Sequence, residues 1–351
     1  MSHKLKLIFN VLSLLSFLTF FSCNSTISKM ALPELNDGKY DSEFPYKNAS
    51  KELEDITQSI KMIHGMAFYK NYSFPKKIRL TKKDSRFKKL ENYADYKTTF
   101  HETYSGTATV VYKEGRTAAF LTCAHILDFP DTLIFYYYDS IGQKTPYIRG
   151  IAIKTKQTNY LPEISGKNEL KIIAFDKLLD LAVLSGEFKI LEALQLTKFN
   201  YPLGHSQKLS WGSFVYLFGY PLNHKMITKG IVSPPKFNNS KIFFVDANVN
   251  KGFSGGIVLA IKDGIPNFEL VGIVSSGAGK IDYYLKPKKG KNYPLINSQI
   301  PFNDKIYVDK NLNLRYGIAN VITIETVREF LTKNKTIFIK NNLNFNKFFN
   351  Y

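Results

Sequence analysis

Cysteine is nearly missing: the 351 residues contain two, Cys23 and Cys123. A pair cannot build a disulfide framework, so the fold must rest on its core and hydrogen bonds, which this length allows. No cysteine–histidine spacing of a structural zinc site occurs, and neither a metal nor a cofactor is expected. Acidic residues are scarce, 29 against 48 Lys and Arg, for a formal charge of +19. Lysine supplies most of this charge, with no arginine-rich stripe or nucleic-acid motif, so no nucleic-acid partner is expected. No internal repeat is found. The longest apolar run, 7–21, is short for a membrane span, which needs about 20 residues.

That run follows Lys4 and Lys6 and precedes Ser22 and Cys23, the layout of a secretory signal over 1–22. A small residue before cysteine resembles the bacterial lipoprotein signal, in which the cysteine is lipid-modified and becomes the first residue. Phe20 and Phe21 depart from its usual residues. The expectation is export to the bacterial cell envelope, with a lipid anchor on Cys23 tying the protein to a membrane. Cys123 then has no partner within the chain.

What is present is apolar and aromatic: 44% hydrophobic residues and 15% Phe, Trp and Tyr. Residues 23–50 are polar and read as a tether. Residues 51–100 read as an N-terminal extension with a short helix, because Leu53, Ile56, Ile60 and Ile63 fall near one face. From about 104, short apolar runs such as TATVVY, TAAFLTCA, FVYLFGY and GIVLAI alternate with turn residues. That pattern predicts a mainly β barrel or sandwich. A helix over 323–333 has a threonine start, acidic residues early and basic ones late. The Asn-, Phe- and Lys-rich tail, 336–351, is expected to fray.

The string NKGFSGGIV at 250–258 frames Ser254 with Gly252, Gly255 and Gly256. It fits the strand-to-helix elbow of α/β-hydrolases, where the histidine base follows the serine in the chain. The six histidines are at 3, 64, 101, 125, 205 and 224, all before Ser254, which excludes that elbow. His125 ends the apolar run AAFLTCAH, and Asp180 opens the run DLAVL. What survives is the order His, Asp, Ser, with a base and a carboxylate at strand ends to activate the serine, or no triad at all.

Thr122-Cys123-Ala124-His125 resembles the T-x-A-H motif of chymotrypsin-fold (trypsin-like) serine peptidases. Residues 180–184, DLAVL, are similar to a segment of their bacterial Deg-type branch. Gly252-Phe253-Ser254-Gly255-Gly256 resembles the G-x-S-G-G nucleophile loop. Residues 218–233, 270–277 and 316–331 resemble further stretches in the family's order, so the likeness spans about 100–335. It implies a double β-barrel of the chymotrypsin type with a C-terminal helix, and a peptidase domain over 101–335. It implies serine endopeptidase activity on a protein or peptide substrate. His125, Asp180 and Ser254 would be catalytic, and the N–H groups of Gly252 and Ser254 would form the oxyanion hole. Ser275 would bond the aspartate, Ser275, Ser276 and Gly277 would line the substrate's path, and Asn248 would sit at the base of the specificity pocket. Asn248 is uncharged, so cleavage after Lys or Arg is not expected.

The sequence departs from the pattern in three places. Phe253 stands where digestive relatives carry the aspartate that receives a new N-terminus, so activation by that ion pair is not expected. Ile257 stands where proline is common, and no PDZ domain is expected after the closing helix. The basic 278–313 segment reads as a regulatory loop or a surface insertion. The alternative function is a non-catalytic lipoprotein of the same fold that binds an envelope or host partner. Cys123, in an apolar strand, reads as a packed residue and not a nucleophile.

Overall fold

The computed structural model describes residues 36–349 except 46, 141, 165–168, 234–240 and 288–305. The signal at 1–22, the lipidation site Cys23 and most of the tether lie outside the described residues.

Two antiparallel sheets dominate. The first contains β1 (Ile60–Ser73), β2 (Tyr96–Glu114), β3 (Thr117–Thr122), β4 (Thr132–Tyr138), β5 (Lys144–Tyr160), β6 (Lys171–Asp176) and β7 (Leu181–Glu187). Its seven strands run in the order β4-β5-β1-β2-β3-β7-β6. The second is a closed barrel of β8 (Phe214–Gly219), β9 (Met226–Val232), β10 (Ile242–Ala247), β11 (Ile257–Ile261), β12 (Phe268–Pro287) and β13 (Ile306–Thr323). This is a mainly β, chymotrypsin-like double barrel closed by a C-terminal helix.

The strands follow from their side chains. In β10 burial alternates, with Phe243, Val245 and Ala247 inside. β11, IVLAI, is buried at every position because it lies between β8 and β12 with both faces covered. One hydrophobic cluster spans both sheets, from Val110, Phe120 and Leu184 to Ile257, Leu259 and Ile273.

Among the described residues four short α-helices accompany the sheets: α1 (Ser50–Gln58), α2 (Ile190–Ala193), α3 (Ile324–Lys333) and α4 (Lys335–Lys340). Thr323 caps α3 by accepting from the Thr326 N–H, and Val327, Phe330 and Leu331 bury its inner face.

The structure differs from the expectations at three places. The helix starting at Ser50 stops at Gln58, and Ile60 and Ile63 belong to β1. β1 sits between β2 and β5, inside the first sheet, so the expected boundary at 101 falls within β2. The tail does not fray: Phe338, Phe345 and Phe348 stack on one another and are buried, and the Phe349 N–H donates to Val111 O at 3.2 Å. The aromatics that gave the tail its low complexity join the core of the first sheet, with Phe348 against Tyr112 of β2. The basic segment after 278 lengthens β12 and β13 into a ribbon, with Gly279 opposite Leu314 and Pro287 opposite Ile306.

Candidate active site

Three loops converge where the sheets meet. After β3, Cys123 stays extended and a single 3-10 turn covers Ala124–Ile126. Ala124 and Ile126 are buried, which leaves His125 pointing outward between them. Its side chain is 47% exposed.

Asp180 ends the turn between β6 and β7. Asp176 Oδ1 accepts from the N–H groups of Leu178 and Leu179, each at 3.0 Å, and starts that turn. Asp180 has φ 54°, a left-handed conformation that Asp tolerates better than most residues. β3 pairs with β7 in the register Thr122 to Ala182, which lays Asp180 beside His125. The Ala124 N–H donates to Asp180 O at 3.2 Å, and the His125 N–H donates to Asp180 Oδ1 at 2.9 Å. His125 Nδ1 lies 2.9 Å from both carboxylate oxygens. An ionised carboxylate only accepts, so the ring proton sits on Nδ1 and Nε2 keeps its lone pair. Ser275 Oγ donates to Asp180 Oδ2 at 2.6 Å. Burial pushes the Asp180 carboxyl up, but the bonds and charge of His125 and the Ser275 hydroxyl outweigh it and hold it below the ordinary value.

Ser254 sits on the loop between β10 and β11. All three glycines around it are required by space. A Cβ on Gly252, at φ 106°, would lie 2.1 Å from Tyr220 O; one on Gly255, at φ 84°, would lie 2.0 Å from Thr107 O. One on Gly256 would lie 2.0 Å from Phe218 O. The carbonyls fix the N–H directions, because in a trans peptide N–H and C=O point opposite ways. The Leu222 N–H donates to Lys251 O at 3.2 Å, which turns the Gly252 N–H away from Leu222. The Gly256 N–H donates to Phe253 O at 2.8 Å, which does the same for the Ser254 N–H. Among the described residues, neither the Gly252 nor the Ser254 N–H donates to another protein group.

A cleft of about 600 Å³ opens here, lined by His125, Gly252 and Ser254 with Ile126, Tyr220, Leu222, Val249, Asn250 and Val274. Among the described residues its lining includes no Asp or Glu. Asn248 is exposed and is not part of the lining; Val249 and Asn250 are. Ser276 and Gly277 pair with Asn320 and Ala319 of β13. β11 pairs with β12 only as far as Val274, through Gly255 and Gly256, so among the described residues β12 has an open side beyond that point. The sequence reading missed Val249, Asn250 and the turn at 220–223, none of which carries a reactive group.

Cys123 Sγ, His125 and Asp180 offer atoms within 4.8 Å of one another, a spacing a metal ion would accept. The donor set does not fit one. Burial, and then the Asp180 charge, push the Cys123 thiol well up, and it donates to Val274 O at 3.3 Å. Both Asp180 oxygens are already held. A second cleft, about 530 Å³, lies across β1, β2, β4 and β5 and is lined by Phe74, Phe100, Phe135 and Tyr137 with Asp95 and Arg149. Among the described residues its lining includes no histidine base.

A double barrel with a histidine held by a carboxylate, and a glycine-framed serine in the same cleft, resembles the arrangement of chymotrypsin-type serine peptidases. Residues 106–273 match the family model described as a trypsin-like peptidase domain. The match takes in His125, Asp180 and Ser254 and supports a serine protease-type function. A pyruvate kinase of Naumovozyma castellii is 31% identical over 124 residues, covering 32% of this chain and 24% of that enzyme. A match to so small a part of that enzyme carries no argument about function here.

Proposed function

We propose that this protein is a serine endopeptidase working through an acyl-enzyme. Ser254 Oγ attacks the substrate carbonyl carbon while His125 Nε2 takes its proton. The proton then passes from His125 to the leaving amine as the C–N bond breaks. Water, activated by the same imidazole, hydrolyses the ester and frees Ser254. Asp180 fixes the ring and stabilises its charged form. The Gly252 and Ser254 N–H groups receive the oxyanion; removing one such donor costs about 3 kcal/mol of transition-state stabilisation in related sites. The open side of β12 at 275–277 offers backbone groups to an extended peptide. The mostly apolar cleft, whose lining includes Lys251 and, among the described residues, no Asp or Glu, favours an apolar side chain beside the scissile bond over Lys or Arg.

The single observation that carries this reading is the bond set of Asp180, with His125 Nδ1 at 2.9 Å and Ser275 Oγ at 2.6 Å. In the same reading the chain is exported and anchored through lipid on Cys23. Among the described residues no helix is long and apolar enough to cross a membrane.

The test is labelling with a fluorophosphonate probe, which needs an activated serine and no knowledge of the substrate. Labelling of the wild type that Ser254→Ala and His125→Ala both abolish is the expected result. A folded wild type that takes no label would overturn the enzyme reading in favour of a binding role.

A further inference from the structure

The two oxyanion donors are aimed at the cleft with no protein partner among the described residues, a state the backbone can escape by flipping a peptide. Something must hold it. Phe253 carries no charge, and its ring is buried among Val249, Val258 and other barrel residues, so no ion pair through that residue does so. The carbonyls do. Four consecutive ones, at 251 through 254, each accept a hydrogen bond: from the Leu222 N–H, the Thr107 hydroxyl, the Gly256 N–H and the Thr107 N–H.

Thr107 therefore supplies two of the four. It lies on β2 of the first sheet and is fully buried. Its Oγ1 donates to Gly252 O at 2.6 Å and accepts from the Tyr220 N–H at 2.9 Å. Its N–H donates to Ser254 O at 2.8 Å, and its own carbonyl accepts from Thr122 Oγ1 at 2.6 Å. Through Tyr220 the same hydroxyl steadies the turn whose Leu222 N–H holds Lys251. Thr122 stands three residues before His125, so one side chain ties the nucleophile loop to the strand that carries the base.

We infer that Thr107 is a positioning residue for the oxyanion hole: its hydroxyl, reaching from the first sheet, pins the 252–253 peptide, which lies between the two that carry the Gly252 and Ser254 N–H groups, and through Tyr220 supports the turn that holds the Lys251 carbonyl, so that both N–H groups stay toward the cleft. The hole is thereby built by folding itself. This rests on the hydrolase reading above, since a hole has a use only if Ser254 reacts.

The test uses the full chain and two pairs that differ at the hydroxyl, wild type against Thr107→Val and Thr107→Ser against Thr107→Ala. The readout is the second-order rate of fluorophosphonate labelling across pH, beside the melting temperature. In that reaction the Ser254 Oγ–P bond forms, fluoride leaves, the serine proton goes to His125, and the phosphonyl oxygen occupies the hole. Loss of the hydroxyl is expected to slow labelling at least about tenfold in each pair, below the 10²–10³ typical of deleting a donor outright. The pH midpoint should stay put, because the His125–Asp180 contacts do not involve Thr107. The serine variant should label close to the wild-type rate. If Thr107→Val fails to fold, the serine and alanine pair decides. Equal rates within the pairs overturn the inference and leave the hydrolase reading intact. So does a slowing that comes with a shifted midpoint, which marks general loosening. An unlabelled wild type overturns both.

Discussion

Ser275 Oγ donates to Asp180 Oδ2 across 2.6 Å, so a residue of the closed barrel grips the carboxylate of the other sheet. A hydrogen bond to the charged form lowers a carboxyl's pKa, and its loss raises it. Ser275→Ala should therefore move the acid limb of the labelling rate to higher pH. The rate at neutral pH should fall roughly tenfold, the scale of one hydrogen bond to a charged group. A pH–rate profile of the two proteins checks both.

Asp180→Asn should act on stability and on chemistry. The Asp180 carboxyl titrates below its unfolded value of about 3.9, so its contribution to stability is present above that pH and fades as pH falls through the folded value. Urea melts should find the variant weaker than wild type at pH 7, with the gap closing below about pH 4. An amide here also favours the wrong imidazole tautomer, and turnover should drop about 10⁴-fold. A gap that persists unchanged into acid would contradict the assignment of the charge.

Gly252→Ala should fail for reasons of space. Its methyl would meet Tyr220 O at 2.1 Å in a left-handed backbone that alanine avoids. The loop must shift, and the Gly252 N–H shifts with it. Labelling should fall by about 10²-fold or more, as for loss of an oxyanion donor. Circular dichroism should still report the β fold.

Cys123 should behave as an inert thiol. It is completely buried and its pKa is pushed well up, first by burial and then by the Asp180 charge. Iodoacetamide at pH 8 should leave Cys123 unmodified in the native protein, as read by peptide mass spectrometry, and modify it in urea. Cys123→Ala should keep fluorophosphonate labelling, which a cysteine nucleophile would not permit.

Much of the site was legible because its chemistry sits at the ends of apolar strands. His125 closes TAAFLTCAH, Asp180 opens DLAVL, and the absence of histidine after Ser254 settles the order of the three. Thr107 was not legible: a threonine in a threonine-rich strand carries no mark of the four bonds it makes. The resemblance puts Asn248 at the base of the pocket, but Val249 and Asn250 line the cleft instead. β1 was hidden because Leu53, Ile56, Ile60 and Ile63 share a helical face by spacing, while Ser59 ends the helix and the chain continues as a strand. The tail misled because Phe348 and Phe349 look like low complexity until the core they enter is known.

Phe348→Ala tests that tail. The ring is fully buried against Tyr112 and Phe338. Its removal should destabilise the domain by about 3–5 kcal/mol, the usual range for a buried Phe, as read from denaturant melts.

The same docking sets an order of events during synthesis. All seven strands of the first sheet have been made by residue 187, yet part of the core beneath it arrives only with Phe338, Phe345 and Phe348. The chain cannot finish its first half before its second. A nascent chain emerging from the ribosome carries an unfinished sheet until the tail follows.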